Sequence, residues 1–146
     1  MFRGRFEHSI DDKGRVSIPS KFREVLTTNF DERLIITNFD DCLWAYPFAE
    51  WQKIEEYVAS LPQMKPEVKA FQRVFISAAT ESAIDKQGRI LVPQTLRDYA
   101  GINKDLVFVG MTRRIEIWSV ERWNKVFVSS QEDLKQMSEK LAELGL

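Results

Sequence analysis

Two segments of this sequence place a carboxylate, a glycine and a guanidinium at the same short spacing: Asp11-Asp-Lys-Gly14-Arg15 and Asp85-Lys-Gln-Gly88-Arg89. An arginine on an exposed bend offers a planar fork of N–H donors that matches a phosphate, or the O6 and N7 edge of guanine. Glycine beside it lets the backbone approach a ligand closely and accepts the positive φ of a tight turn. An aspartate four residues earlier can orient the guanidinium or fold the loop through its own backbone bonds. The competing reading is structural, with each Asp–Arg pair an ion pair inside its own loop, worth at most about 1 kcal/mol if exposed. Both readings require each segment to be a turn.

Catalytic chemistry finds little support. His8 is the only histidine, and the residue matching it in the second segment is Ser82. Cys42 lies in an Asp40-Asp41-Cys42-Leu43 turn with no CxxC partner and no histidine nearby in sequence. There is no zinc-ligand spacing, no phosphate-binding glycine loop and no dinucleotide fingerprint. The pairs Asp11-Asp12 and Asp40-Asp41 read as turn acids. We therefore expect a non-enzyme, without cofactor, metal or small-molecule substrate. A single cysteine and the lack of a long apolar run fit a cytoplasmic protein.

Charge is nearly neutral, −1 over 146 residues with a pI near 5.9. It does not by itself announce a nucleic-acid ligand. Its distribution is mildly uneven. Residues 1–23 hold six basic side chains (Arg3, Arg5, Lys13, Arg15, Lys21, Arg23) against three acids, whereas residues 130–146 hold four acids and two lysines.

The two segments belong to a longer duplication. Glu7–Arg23 aligned with Glu81–Arg97, at an offset of 74, is identical at seven of 17 positions: Glu7, Ile10, Asp11, Gly14, Arg15, Pro19 and Arg23. Chance gives about one identity in such a window. At an offset of 72 the match resumes, Leu34–Thr37 on Leu106–Val109, Leu43–Tyr46 on Ile115–Trp118 and Trp51 on Trp123. We divide the chain into a first unit over 5–51, a helical linker over 52–79, a second unit over 80–123 and a C-terminal helix over 124–146.

The elements that must position the loops follow from local pattern. Arg15–Ile18 and Arg89–Val92 are β-rich, and Pro19 and Pro93 end them and open short helices over 19–26 and 93–100, with Gly101 closing the second. Residues 34–37 with 43–46, and 106–109 with 115–118, read as paired strands. Helices are expected over 47–61, from the N-cap Ser119, and from Pro66 with Val68, Phe71 and Phe75 on its apolar face. The C-terminal helix carries an amphipathic stripe over 131–144, formed by Leu134, Met137, Leu141 and Leu144, that is expected to pack within the chain. Arg23 and Arg97 are assigned to structure, as are the four tryptophans at 44, 51, 118 and 123. One unit alone offers too small a core, so the halves should complete each other about an approximate two-fold axis.

Asp11-Asp-Lys-Gly-Arg15-Val-Ser-Ile-Pro19-Ser-Lys-Phe-Arg23 resembles the core of SpoVT/AbrB-type swapped-hairpin DNA-binding domains. Two such copies, with Met-Phe-Arg-Gly at the start and the junctions Tyr46-Pro-Phe-Ala-Glu-Trp51 and Ile117-Trp-Ser-Val-Glu-Arg-Trp123, resemble the MraZ family. The resemblance implies an α+β, β-rich fold: two tandem swapped-hairpin AbrB-like units about a pseudo-two-fold axis, forming a small double-ψ or split-barrel-like core with flanking short helices. It implies a sequence-specific transcriptional regulator, in most cases a repressor, of a division and cell-wall gene cluster. Such a protein would act at the nucleoid as a ring-shaped homo-oligomer on short direct repeats of double-stranded DNA upstream of its own operon. On that reading Arg15 and Arg89 are the principal DNA contacts, supported by Lys13 and Lys86 and, further off, by Arg3 and Arg5. Asp11, Asp85, Gly14 and Gly88 shape the loops. The second copy has Lys86-Gln87 where the first has Asp12-Lys13, so the basic position shifts by one. The alternatives are an antitoxin-like protein-interaction module of the same fold, a purely structural ring, and a nonspecific nucleoid-associated protein. One loop neutralises few phosphates, so several loops at fixed spacing are needed for firm binding.

Overall fold

A computed structural model describes all 146 residues. The chain is α+β, with eight strands and six α-helices. Strands β1 (Arg5–Ser9) and β2 (Arg15–Ser17) flank the first Asp-x-x-Gly-Arg loop, and α1 (Ser20–Asn29) follows. β3 (Arg33–Phe39) and β4 (Cys42–Pro47) form a hairpin that leads into α2 (Phe48–Ser60). The hairpin turns on Asp40 and Asp41, both at positive φ (57° and 65°), the conformation a two-residue turn needs to match strand twist. α3 (Pro66–Phe71) runs on into a π-helical turn, Gln72–Ile76.

The second repeat follows the same order: β5 (Thr80–Ala83), β6 (Arg89–Leu91), α4 (Gln94–Ala100), β7 (Asp105–Met111), β8 (Arg114–Ser119), α5 (Val120–Gln136) and α6 (Ser138–Glu143). Pro19 and Pro93 stand just outside their helices, at the N-cap rather than inside the first turn. Their ψ values of 136° and 151° are extended, while the Pro19 carbonyl accepts from the N–H of both Phe22 and Arg23. Gly101, at φ 67°, closes α4, and the Ser119 hydroxyl caps α5 by accepting from the Arg122 N–H at 3.2 Å.

The repeats exchange strands. One antiparallel sheet runs β1-β7-β8-β4-β3-β5, so each repeat's first strand pairs with the other repeat's hairpin. β2 pairs only with β6, as a separate two-stranded ribbon. Register reveals the two-fold axis. In the ribbon Val16 faces Ile90, its own counterpart 74 residues on, and at the sheet centre Trp44 faces Glu116, its counterpart 72 residues on.

The main core holds 20 buried residues drawn from both repeats, with Val16 and Ile90 beneath the ribbon and Leu34, Ile36, Leu106 and Phe108 beneath the sheet. Each such side chain contributes roughly 1.5–3 kcal/mol on burial. Since both repeats line it, neither can make it alone. A second cluster joins Ile35, Tyr46, Trp51 and Phe75, and a third joins Cys42, Val107, Val109 and Trp118.

One expectation fails at the C-terminus. The stripe over 131–144 is not packed within the chain: α5 continues unbroken to Gln136, α6 follows, and the stripe lies along both. Residues 120–136 contain neither proline nor glycine, so nothing stops the helix. Leu134, Met137 and Leu144 are 55%, 46% and 77% exposed, so the apolar stripe faces solvent.

Candidate functional site

The two Asp-x-x-Gly-Arg segments are turns of the same construction. In the first, Asp11 N–H donates to the Arg15 carbonyl at 2.9 Å and Gly14 N–H donates to the Asp11 carbonyl at 3.0 Å. Asp11 Oδ1 accepts from the backbone N–H of Lys13 at 3.0 Å and of Arg15 at 2.9 Å, while Oδ2 accepts from Arg15 Nε at 2.9 Å. In the second, Asp85 Oδ1 accepts from Gln87 N–H at 2.8 Å and Arg89 N–H at 2.9 Å, and Oδ2 from Arg89 Nε at 3.1 Å. The backbone N–H of the following arginine is the main reason each carboxyl is held below its ordinary value; for Asp11 the Arg15 side chain then adds to it, and for Asp85 the Gln87 N–H does.

Each loop is then closed by the other repeat. The Gly14 carbonyl accepts from Val92 N–H at 2.7 Å, and the Gly88 carbonyl from Ile18 N–H at 2.9 Å. Gly14 and Gly88 adopt φ of 87° and 77°. A Cβ on Gly14 would meet the Val92 carbonyl oxygen at 2.5 Å, and one on Gly88 would meet Arg23 Nη1 at 2.8 Å. Arg97 lies across the Gly14 loop and donates through Nε to the Val92 carbonyl at 3.0 Å; Arg23 lies across the Gly88 loop, 3.8 Å from Glu32. The identity of Arg23 and Arg97 at one offset was the available signal for this cross-repeat bracing, and it took the strand exchange to interpret it.

The ribbon sets the direction of the arginines. With Val16 and Ile90 turned inward, Arg15, Ser17, Arg89 and Leu91 alternate to the opposite face, Arg15 beside Leu91 and Ser17 beside Arg89. Both arginines are partly open to solvent, at 38% and 30% side-chain exposure. Each engages its loop through Nε, and no hydrogen bond within the protein takes up either Nη. The intra-loop ion pair and the free donor pair therefore coexist in one side chain. This shared face was not visible in the sequence, because it depends on pairing between residues 74 positions apart.

Lys13 and Lys86 are both exposed on the loop tips, at successive rather than equivalent corners of the same backbone turn. Arg3 and Arg5 are not brought to this face. β1 leads from Arg5 to Ser9 before the first loop begins, a strand length of roughly 17 Å. The Arg5 guanidinium instead lies 4.8 Å from the centre of the Phe127 ring. His8 packs edge-on against Phe108 at 5.4 Å, and burial pushes the Cys42 thiol well above its ordinary range. The Cys42 thiol is held as an inert, protonated core group.

Comparison with known proteins places this geometry in a context. A family model described as "MraZ protein, putative antitoxin-like" matches the chain twice, over residues 1–74 and 75–144. Proteins named "Transcriptional regulator MraZ" align with it from end to end. That of Clostridium tetani is 46% identical, and that of Clostridium acetobutylicum 45% identical, each over 146 residues covering all of both chains. That of Acetivibrio thermocellus is 43% identical over the same span and coverage.

Proposed function

The chain belongs to the MraZ family, and on that premise we propose that it is a DNA-binding transcriptional regulator whose paired loops grip duplex DNA. The carrying observation is the β2–β6 ribbon, which turns Arg15 and Arg89 to one solvent face with their Nη groups free. A two-stranded ribbon is narrow enough for the major groove, where an arginine fork reads guanine or grips the flanking phosphates. Lys13 and Lys86 add phosphate contacts from the loop tips. Arg3 and Arg5 would serve only DNA that extends past the ribbon.

In its finer form the proposal is a cytoplasmic, nucleoid-associated repressor of a division and cell-wall operon. It acts as a ring of copies on short direct repeats upstream of its own gene. Two arginines and two lysines neutralise few phosphates, so repeated sites matched to repeated loops supply the affinity. A second reading, in which the loops hold another protein, draws on Leu91, an apolar side chain 52% exposed between the arginines. Titration of the protein against its own upstream DNA, and against the same bases shuffled so that the repeats are lost, separates these. Preference for the intact repeats is expected. Equal affinity for both would leave only nonspecific coating, and no affinity for either would favour the protein partner.

A further inference from the structure

The outer face of the β2–β6 ribbon carries four side chains, and two of them break the symmetry that its backbone keeps. Arg15 faces Leu91 and Ser17 faces Arg89, with Val16 and Ile90 turned inward between them. The two arginines are counterparts 74 residues apart, and so are Ser17 and Leu91. One arginine therefore stands beside an aliphatic side chain and the other beside a hydroxyl.

The ladder holds these neighbours close. Ile18 N–H bonds to the Gly88 carbonyl and Val92 N–H to the Gly14 carbonyl, which fixes the alternation of the antiparallel bonds. Arg15–Leu91 and Ser17–Arg89 are thus the pairs that exchange no backbone bonds, with Cα atoms about 4.5 Å apart and side chains adjacent. The Leu91 N–H turns away from β2 and donates instead to Oγ of the buried Ser82, at 3.1 Å. The residue matching Ser82 in the first repeat is His8, whose ring packs against Phe108. Leu91 is thereby anchored on the ribbon while its side chain stays 52% exposed among polar neighbours.

In the major groove the thymine methyl is the apolar feature of the base edges, and an aliphatic side chain matches it. Base pairs follow one another about every 3.4 Å along a strand, so a leucine beside a guanine-reading arginine meets the same base step or the next. A serine hydroxyl can donate or accept, and so demands no particular base. We propose that Leu91 contacts the methyl group of a thymine within one base step of the guanine bound by Arg15, and that Ser17 makes no such demand at the Arg89 end. The ribbon then tells a site from its reverse complement, which matched side chains on a two-fold backbone could not do. This inference rests on the DNA-binding reading above and names a determinant of its specificity.

Selection of bound duplexes from a random pool tests it, using the full-length wild type, Leu91→Ser and Ser17→Leu. Both positions are exposed, and thermal melts first establish that the variants keep the wild-type fold. The wild type should enrich guanines with a thymine within one step at one end. Leu91→Ser should keep the guanines and lose the thymine. Ser17→Leu should gain a second thymine, related to the first by the two-fold, so that its motif becomes nearly palindromic. Replacing the selected thymine by uracil removes the methyl group alone. It should weaken wild-type binding about fourfold, the worth of one buried methyl, and leave Leu91→Ser unaffected. Guanines enriched without the thymine, a thymine kept by Leu91→Ser, an unaltered motif from Ser17→Leu, or an equal loss with uracil in wild type and Leu91→Ser would each overturn the Leu91 contact while the DNA-binding reading stands. A wild type that enriches no sequence overturns the specific DNA-binding reading and this contact with it.

Discussion

Arg15 and Arg89 each commit Nε to an aspartate and leave both Nη groups without a hydrogen-bond partner in the chain. On the proposed reading the ion pair pre-orients the fork that would meet DNA, and charge alone should not replace it. In an Arg15→Lys/Arg89→Lys variant we expect shuffled DNA to be bound as before, with preference for the repeats reduced by about tenfold or more, since a good bidentate base contact is worth roughly 1–3 kcal/mol. Competition binding at fixed salt checks this, and unchanged preference would mean that the forks read no bases. The aspartates set a pH limit. Their folded carboxyls are held below the unfolded value of 3.8, so their support is present above that value and is lost as pH falls through the folded one. Loop order, followed by backbone amide spectra, should hold from pH 8 to 5 and weaken only below about pH 4. Loosening between pH 7 and 5 would show that these carboxylates are not what holds the loops.

At the level of the elements, much was legible because the signals are local. Prolines at 19, 47 and 93, Gly101 and Ser119 mark helix ends through backbone chemistry that acts within a few residues, and the structure places caps at all five. The C-terminal stripe was legible as apolar, but the sequence does not say what covers it. Its continuity with α5 follows from the absence of any helix-breaking residue before Gln136. The two loop glycines look alike in sequence and differ in surroundings. Gly14→Ala pushes a Cβ into the backbone oxygen of Val92, whereas Gly88→Ala meets only the end of the flexible Arg23 side chain. We predict losses of about 3 kcal/mol or more for Gly14→Ala and about 1–2 kcal/mol for Gly88→Ala, measured by urea unfolding. Equal losses would mean that positive φ alone, and not the contact with Val92, decides the cost.

For the whole molecule, the duplication made a two-fold arrangement foreseeable and the resemblance implied swapped hairpins, while the particular pairings, β1 on β7, β5 on β3 and β2 on β6, had to be seen. Their registers relate residues far apart in sequence, and no local pattern encodes them. The exchange also makes the halves interdependent. A fragment of residues 1–74 lacks β5 against β3 and β6 against β2, so as a monomer it should show no cooperative unfolding by circular dichroism. A monomeric fragment that melts cooperatively would contradict the shared core. The central claim is that two ribbon arginines, multiplied by assembly, grip DNA. Its most direct test is a titration of the Arg15→Ala/Arg89→Ala variant against the upstream DNA at two salt concentrations, beside the wild type. The account predicts normal assembly, loss of preference for the repeats, and a shallower dependence of affinity on salt. Wild-type affinity with an unchanged salt dependence would contradict it.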